Sequence, residues 1–311
     1  SYTITASNAV FSSGSSSNYA ITYLTGTLTI TGAAQSIIFT STQPTGAKVA
    51  GATYTVTATG GASGNAVSFS SLTTSVCTVA TATVTFVTAG TCTIAANQGS
   101  SSNYVAASQV TQSFTVAKGD PTFSAWSNVS KTFGDATFTI TAPGVTGSLP
   151  GSFTYTSATP AVISISGTTL TVTGGGTSVI TATFTPTDST NYNNATTTMT
   201  VTVSATSQSI TRTSTSPLSP IKSGTYTPTA TATSTLAVVI TIATGSSSVC
   251  SITAGVVTFN TVGSCVIQYN QSGNASYSAA LEVTETLTIG KATPTFSAWS
   301  NVSKTFGDAT F

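Results

Sequence analysis

Four cysteines are the side chains best placed to do chemistry in this sequence. They form two pairs, Cys77 with Cys92 and Cys250 with Cys265, and each pair encloses 14 residues. That spacing suits a disulfide between two strands that are connected through one intervening strand. The chain has no histidine, which excludes Cys/His zinc sites, and the two pairs are too far apart in sequence to favour a four-cysteine site. We expect two structural disulfides in an oxidising, extracellular setting, with buried free thiols as the alternative.

Other side chains offer little catalytic chemistry. Carboxylates are too sparse for general acid–base catalysis, and the serines have no His or Lys base in a recognisable arrangement. Asp188 with Asn191 and Asn193 could supply oxygen ligands to calcium, although one carboxylate is few for such a site. Lys131 and Asp135, repeated 173 positions later, predict a solvated pair in a turn, with a Lys–Asn isopeptide bond as the alternative. We expect no catalytic residue, no cofactor and no metal site.

Aromatic residues recur at regular positions. Four tyrosines, each after a loop rich in Asn or Ser, have spacings of 85, 88 and 85 residues: Tyr19, Tyr104, Tyr192 and Tyr277. We expect each ring to pack at the end of a sandwich and each hydroxyl to bond to backbone, with ligand stacking as the alternative. The two tryptophans, Trp126 and Trp299, are 173 positions apart. They are expected to be buried in a sandwich or at a domain junction, with exposed sugar-binding platforms as the alternative.

The composition excludes several functional classes. Charged residues make up 4% of the 311 residues, against roughly 25% in an average soluble protein. The seven Lys and Arg residues are scattered, so nucleic acid is not an expected partner. No apolar run reaches the roughly 18–20 residues needed to cross a bilayer, so we expect no membrane span in this segment. Thr makes up more than a fifth of the residues and suits β-strands, whereas Gly and Pro suit the turns between strands. This composition favours an all-β fold.

These residues belong to a repeated sequence. The stretch PTFSAWSNVSKTFGDATF occurs at 121–138 and again, unchanged, at 294–311, which is an offset of 173 residues. SVCTVATATVTFVTAGTCTI and SVCSITAGVVTFNTVGSCVI, which contain the two cysteine pairs, match at the same offset. The tyrosine spacing is about half of that period, so each repeat contains two similar domains of immunoglobulin size. Aligning the intervening domain places Ile163 and Ser178 at the cysteine positions, so the fold does not require the bridge.

Alternation of apolar and polar residues predicts strands along the chain. In VITATFTP, Ile180, Ala182 and Phe184 are expected to face the core while threonines face outward. The run at 167–184 predicts two strands joined as a hairpin by the three glycines at 174–176. No stretch sustains helical periodicity, which again indicates an all-β protein.

The sequence resembles a known group of repeats. ISGTTLTVTGGGTSVITATFTPTDSTNYNNATTTMTVTV resembles bacterial immunoglobulin-like repeats, and the stretch from Cys77 through Cys92 to 116 is similar to the cysteine-paired variety. SKTFGDATFTIT and the opening SYTITASNAV are similar to repeats that often alternate with them. The resemblance covers essentially the whole chain and carries over few functional residues. It implies a large bacterial surface or secreted protein, in which such domains act as stalks, spacers or adhesive modules.

The predicted organisation is an extended, rod-like array of tandem immunoglobulin-like antiparallel β-sandwiches. The predicted parts are the end of one repeat (1–33), a domain with a cysteine pair (34–117), a domain without cysteine (118–205), a second domain with a cysteine pair (206–290) and the start of the next repeat (291–311). We expect a non-catalytic stalk or fibre whose partners are neighbouring repeats. A self-associating filament and a glycan- or surface-binding module are the alternatives. Because the chain stops inside a copied stretch, we expect the protein to continue.

Overall fold

The molecule consists almost entirely of β-strands. The structure, a computed structural model, describes residues 1–296, 298 and 301–306. Within these ranges it has 25 strands and three short 3₁₀ turns, at Ser16–Asn18, Thr146–Ser148 and Thr244–Ser246. The strands form separate, mainly antiparallel sheets, which confirms the predicted fold class of tandem immunoglobulin-like β-sandwiches. Among the described residues, no helix has the length and apolarity to cross a membrane.

Each of the first four predicted parts of the chain contains strands. Residues 1–33 contain β1 (Tyr2–Thr5) and β2 (Thr25–Leu28). Residues 34–117 contain β3 (Ile38–Phe39), β4 (Tyr54–Thr55), β5 (Ala58–Thr59), β6 (Ser68–Ser71), β7 (Cys77–Ala80), β8 (Thr83–Phe86), β9 (Gly90–Asn97) and β10 (Val110–Val116). Residues 118–205 contain β11 (Val129–Thr132), β12 (Phe138–Thr139), β13 (Gly151–Ser157), β14 (Ile163–Ser166), β15 (Thr169–Val172), β16 (Gly176–Pro186) and β17 (Ala195–Ser204). Residues 206–290 contain β18 (Ile210–Arg212), β19 (Thr225–Tyr226), β20 (Ala230–Ala232), β21 (Val239–Ile242), β22 (Cys250–Thr253), β23 (Val256–Phe259), β24 (Gly263–Asn270) and β25 (Val283–Ile289).

The two cysteine-containing segments share one sheet topology. In residues 34–117 the sheets β4–β8–β7 and β10–β9–β6 contribute to one core, and β3 pairs with β5. In residues 206–290 the sheets β19–β23–β22 and β21–β24–β25 do the same, and β18 pairs with β20. Residues 118–205 form the sheets β12–β15–β14 and β11–β17–β16–β13, in which β11 joins β17 in parallel. Each segment therefore closes two sheets over its own apolar centre.

The core of residues 118–205 follows the alternation of the sequence. Ile180, Ala182 and Phe184 are 0%, 0% and 1% exposed, which confirms their predicted inward direction. Ile180 belongs to the same cluster as Leu170 from the opposite sheet. Because side chains alternate along a strand, every second residue faces the core. Inward side chains from strands of the two sheets fill the space between those sheets.

The hairpin predicted at 174–176 is wrong. β15 lies between β12 and β14, whereas β16 lies between β17 and β13 in the other sheet. The glycines therefore carry the chain from one sheet to the other, and of the three only Gly176 has a positive φ, 125°. Alternation shows which side chains turn inward, but consecutive strands can meet either by pairing or across a core, and the pattern is the same in both cases.

The chain divides into two compact units. Unit 1 comprises Ser1–Ala125, Pro143–Thr154 and Thr183–Thr196, and unit 2 comprises the remaining described residues. The division falls inside residues 118–205 and crosses strands β13, β16 and β17. The domain boundaries at 34, 118, 206 and 291 consequently stay predictions.

Candidate functional sites in the tyrosine loops and disulfides

Both cysteine pairs form disulfides that join the two sheets of a sandwich. Cys77 on β7 bonds to Cys92 on β9 with a Cα–Cα distance of 5.6 Å. Cys250 on β22 bonds to Cys265 on β24 with a Cα–Cα distance of 5.8 Å. All four residues are 0% exposed, so each disulfide is a structural element of the core. In the chain-entropy account, closing a loop of 15 residues stabilises the folded state by roughly 3 kcal/mol.

Residues 118–205 replace the disulfide with other contacts. Ile163 and Ser178, at the two cysteine positions, are 0% and 1% exposed. The Ser178 hydroxyl lies 2.8 Å from the Ser157 hydroxyl and accepts a hydrogen bond from the Thr159 N–H at 3.1 Å. A buried hydroxyl with two partners has no unmet hydrogen bond. At these two positions, packing and hydrogen bonds therefore stand in place of the covalent bridge.

Three of the four repeated tyrosines form an isolated backbone bridge with a residue at the start of their segment or immediately before it, which we call the entry residue. Isolated parallel bridges pair Ala33 with Tyr104, Gly119 with Tyr192 and Thr206 with Tyr277. In each case the entry residue donates its N–H to the carbonyl of the residue before the tyrosine, at 2.8, 2.8 and 3.0 Å. Its carbonyl accepts from the N–H of the residue after the tyrosine, at 3.0, 2.9 and 2.9 Å. These backbone pairs hold the loop, whereas the sequence prediction assigned that bond to the tyrosine hydroxyl.

In unit 1 the loop of residues 186–193 also contacts residues 34–117, and we call this contact the first junction. The Asn191 Oδ1 atom accepts the N–H of Ala89, the residue immediately before β9, at 2.9 Å. Asp188 orients Asn191, because its carboxylate accepts the Asn191 N–H at 3.1 Å and the Asn191 Nδ2 at 2.8 Å. The half-buried Tyr192 ring packs against the core cluster of residues 34–117. The loop thus closes one sandwich and caps the end of the one before it.

Polar and charged side chains surround the first junction. Asp120 accepts a hydrogen bond from Asn193 Nδ2 at 2.7 Å and pairs with Lys48 Nζ at 3.3 Å. The Asn193 bond, followed by the Lys48 ammonium, lowers the pKa of Asp120. Lys118 Nζ donates to the Ser189 carbonyl at 2.6 Å. Because the Lys48 and Asp120 side chains are 47% and 57% exposed, the ion pair contributes little to stability.

In unit 2 an equivalent contact joins residues 118–205 to residues 206–290, and we call it the second junction. The N–H of Gly175, the residue immediately before β16, donates to the Ser276 hydroxyl at 3.0 Å. The Tyr277 ring meets Phe133 edge to face with centroids 5.3 Å apart. A Cβ atom on Gly175 would lie 1.7 Å from the Ala275 carbonyl oxygen. Glycine is therefore required at this position by the neighbouring segment.

The remaining aromatic positions differ from one another. Trp126 is half-buried against the core of residues 118–205, and its indole N–H donates to the Thr141 carbonyl at 3.0 Å. Trp299 lies outside the described residues. Tyr19 is 62% exposed and stacks on Phe11 with centroids 5.3 Å apart. The tyrosines therefore share a position in the repeat, and Tyr19 alone among the four has its ring largely in solvent.

The groups considered for calcium binding are engaged with each other and with backbone. Asp188 accepts two hydrogen bonds from Asn191, whose own side-chain oxygen is occupied by the Ala89 N–H. The amide of Asn193 is directed to Asp120 and not to Asp188. Across the ranges that the structure describes, no group of three or more His, Cys, Asp or Glu residues could hold a metal ion.

The predicted Lys131–Asp135 pair is wrong. The Lys131 ammonium lies over the Phe138 ring, 4.6 Å from its centroid. Asp135 instead accepts the Thr132 N–H at 2.9 Å and so closes the turn that follows β11. The Lys131 ammonium is bound by the aromatic ring and the Asp135 carboxylate by the backbone, so each charge has a partner other than the one predicted.

A buried charged cluster in residues 206–290 was missed by the sequence reasoning. Glu285, 5% exposed, pairs with Arg212 Nη1 at 2.7 Å and accepts the hydroxyl of Tyr269 at 2.5 Å. It also accepts the Ser216 hydroxyl and, at 3.2 Å, that of Tyr226. Burial opposes ionisation of the carboxyl, but these donors outweigh it and lower the pKa of Glu285. Burial, then the carboxylate itself, raises the pKa of Tyr269, which remains a donor.

The chain resembles several solved structures, but the comparisons assign it to no family. No protein-family model matches the chain, and no curated protein sequence matches it. Among solved structures, Drosophila N-cadherin EC1–4 has 9% identity, covers 83% of this chain and 76% of its own, and has a TM-score of 0.29. Sidekick-1 immunoglobulin domains 1–5 have 12% identity, coverage of 84% and 58%, and a TM-score of 0.30. The insect immune protein hemolin has 10% identity, coverage of 82% and 76%, and a TM-score of 0.27. Values this low support no argument about function.

Proposed function

We propose that this chain is a non-catalytic structural region of a large bacterial surface or secreted protein, in which tandem sandwiches form an extended stalk or fibre. One observation carries the proposal: the first and second junctions use the same contact. In each junction, the residue immediately before a long core strand donates its backbone N–H to a side chain of the next segment. The acceptor is the side chain of the residue immediately before a repeated tyrosine. A connection repeated in this way sets each sandwich on the one before it without needing a ligand.

The local cores support the same role. Each segment buries its own apolar cluster, so stability accumulates segment by segment and length can grow without a larger core. The two disulfides strengthen alternate segments and suit an oxidising compartment, which favours a location at the cell surface or outside the cell. Neighbouring repeats of the same polypeptide are the proposed partners.

Two alternative functions compete with the stalk. An adhesive module that binds glycans or surfaces would need exposed aromatic platforms. Trp126 is packed against a core, and the rings of Tyr192 and Tyr277 are half-buried at the junctions, which favours the structural role. A self-associating filament subunit would need a contact between chains, which a chain with so little charge does not resist by electrostatic repulsion.

Small-angle X-ray scattering from the purified chain tests the stalk. We expect the profile of a rod with the cross-section of one sandwich. Gly175→Ala should disrupt the second junction, because its Cβ would overlap the Ala275 carbonyl, and should broaden the distribution of interatomic distances. Gly245→Ala is the matched control, since its Cβ meets nothing within 4 Å and its φ is not positive. Scattering from the unmodified chain typical of flexibly linked beads would contradict the stalk.

A glycan array separates the adhesive alternative from the stalk. Under the structural proposal the chain binds no glycan on the array. Saturable binding to one glycan class, abolished when an exposed aromatic such as Tyr19 is replaced by Ala, would favour the adhesive module instead.

A further inference from the structure

The stretch that occurs twice in the sequence supplies the first strand of residues 118–205, and this strand pairs with the last one. β11 lies within the copy at 121–138 and runs parallel to β17. The ladder has four residue pairs: Val129 with Val201, Ser130 with Thr202, Lys131 with Val203 and Thr132 with Ser204. We call this pairing, between the first part of a segment and its end, the terminal contact.

Further hydrogen bonds lengthen the terminal contact of residues 118–205 in both directions. The Thr200 N–H donates to Asn128 Oδ1 at 2.8 Å. Beyond the other end of the ladder, the Phe133 N–H donates to the Ser204 carbonyl at 2.9 Å. Val201 is 0% exposed and Phe133 packs against the same core. Apolar side chains therefore shield one side of the ladder from water, which strengthens its hydrogen bonds.

The two cysteine-containing segments, which the structure describes throughout, have a single pair at the corresponding place. Lys48 pairs in parallel with Ala117, the residue after β10. Ile221 pairs in the same way with Gly290, the residue after β25. Each pair has two backbone hydrogen bonds, at 2.8 and 3.0 Å in the first segment and at 2.8 and 3.1 Å in the second. A parallel ladder of four pairs contains roughly twice as many bonds.

The direction of the strands decides how each segment responds to a pulling force. A force on the two ends of a segment acts on its first and last parts in opposite directions. Because these parts are parallel, the force slides one along the other, and the hydrogen bonds between them share the load. The disulfides join β7 to β9 and β22 to β24, so they lie outside the terminal contacts. They carry no load until a terminal contact has broken.

We infer that residues 118–205 are the last of the three segments to open when the chain is pulled. The segment without a disulfide has the longer terminal contact, and the two segments with a disulfide have the shorter one. Forced opening depends on the barrier to unfolding, so the opening force can differ between segments independently of the disulfides. The inference rests on strand pairing alone and does not require the proposed stalk.

Force spectroscopy on single full chains, held at both ends and pulled at constant speed, tests the inference. We expect residues 118–205 to open at the highest force, about twice that of the other two segments, in proportion to the bonds that share the load. Inserting about 20 Gly and Ser residues after Gly167, in the exposed turn between β14 and β15, lengthens the step of this segment alone and identifies it. A marked step at a force equal to or below the others would overturn the inference.

A proline in β11 of the marked chain tests the terminal contact directly. The Phe133 N–H faces β17, and N–H groups alternate in direction along a strand, so the Lys131 N–H faces β17 and the Ser130 N–H faces away. Lys131→Pro should therefore lower the force of the marked step towards that of the other segments. Ser130→Pro controls for the proline ring and Lys131→Ala for the lost side chain, and both should keep the high force. An unchanged force in Lys131→Pro, or an equal fall in all three variants, would also overturn the inference.

Discussion

Residues 34–117 and 206–290 have equivalent strands and a disulfide at the same position. One equivalent core position differs, because it holds a neutral side chain in the first segment and a charged side chain in the second. In the first, the Tyr54 hydroxyl donates to Gln112 Oε1 at 2.8 Å and lies 2.7 Å from the Ser41 hydroxyl. In the second, Tyr226 and Ser214 occupy the equivalent places, and Glu285 stands 173 positions after Gln112. An amide has thus been exchanged for a carboxylate inside the same fold.

The exchange is accompanied by changes at two further positions. Arg212 follows Phe39 by 173 positions and pairs with Glu285. Tyr269 follows the buried Ala96 by the same interval and donates to the carboxylate. A buried carboxylate is costly unless a cation and hydrogen-bond donors surround it. In this chain, the charge at this core position is thus accompanied by a new cation and a new hydrogen-bond donor beside it.

The largest effect is expected from Gln112→Glu, which places a carboxylate in the neutral core without its cation. Gln112 Nε2 donates to the Ser41 carbonyl at 3.1 Å, and a carboxylate there would face that oxygen instead. We expect the opening free energy of residues 34–117 to fall by about 3–5 kcal/mol at neutral pH. Hydrogen exchange of amides on β9 and β10, read against β24 and β25 in the same molecule, measures this loss.

A second substitution in the same background sharpens that result. Phe39→Arg combined with Gln112→Glu reproduces the ion pair of residues 206–290 and should recover part of the lost stability. The single Phe39→Arg variant completes the double-mutant cycle. No coupling between the two positions would show that the Arg212–Glu285 pair is not what makes the charged core tolerable.

Arg212→Leu should have the next largest effect. It removes the cation and leaves the carboxylate of Glu285 with hydroxyl donors only, and the pKa of Glu285 should rise. We expect the opening free energy of residues 206–290 to fall by about 2 kcal/mol, since a charge-assisted hydrogen bond is lost while several donors remain. Exchange on β25 reports the change, and protection of β10 in residues 34–117 should not move. Equal loss in both segments would indicate a global effect.

Acidification should separate the two segments more modestly. The pKa of Glu285 is lower in the folded state, so its contribution is present above the unfolded pKa of about 4.3 and is lost as pH falls through the folded pKa. Gln112 does not titrate. Below about pH 4, residues 206–290 should therefore lose protection relative to residues 34–117, once exchange rates are corrected for the intrinsic effect of pH. A parallel response of both segments would contradict this assignment.

Glu285→Gln should have the smallest effect at neutral pH. It gives residues 206–290 the amide found in residues 34–117, and Arg212, whose side chain is 35% exposed, can turn to solvent. We expect a change of less than about 1 kcal/mol, because replacing a buried ion pair is often close to neutral. The acid sensitivity described above should disappear in this variant. A large loss at neutral pH would mean that the ion pair is a net source of stability.

Much of the fold could be predicted from the sequence because strand alternation is local. Ile180, Ala182 and Phe184 face inward as their spacing predicts. The odd spacing of Glu282 and Glu285 also predicts opposite faces, and the first is exposed while the second is buried. The partner of a strand, and the partner of a charge, are not local properties. The hairpin at 174–176 was therefore wrong, and the pairing of Arg212 with Glu285 across 73 positions was missed.

The tyrosines mark the limit of sequence reasoning about the junctions. Their period and loop composition place them at sandwich ends, but the backbone pair that each makes depends on an entry residue about 70 positions earlier (104 − 33, 192 − 119 and 277 − 206 give 71, 73 and 71). Short polar residues before the tyrosine, such as Asp188 and Asn191, were the sequence feature from which the first junction could have been predicted. The sequence predicts Gly175 as a turn residue, whereas the structure requires glycine there because the Ala275 carbonyl of the neighbouring segment leaves no space for a Cβ atom.

The disulfides have a mechanical consequence when the chain is pulled from its ends. An extended residue spans about 3.4 Å, so a bridge that closes a 15-residue interval withholds about 50 Å of contour length when its sandwich is forced open. Residues 118–205 have no such bridge and release their full length. Under load the chain lengthens in unequal steps, short where the cysteines are and long between them. Reducing agents would lengthen only the short ones.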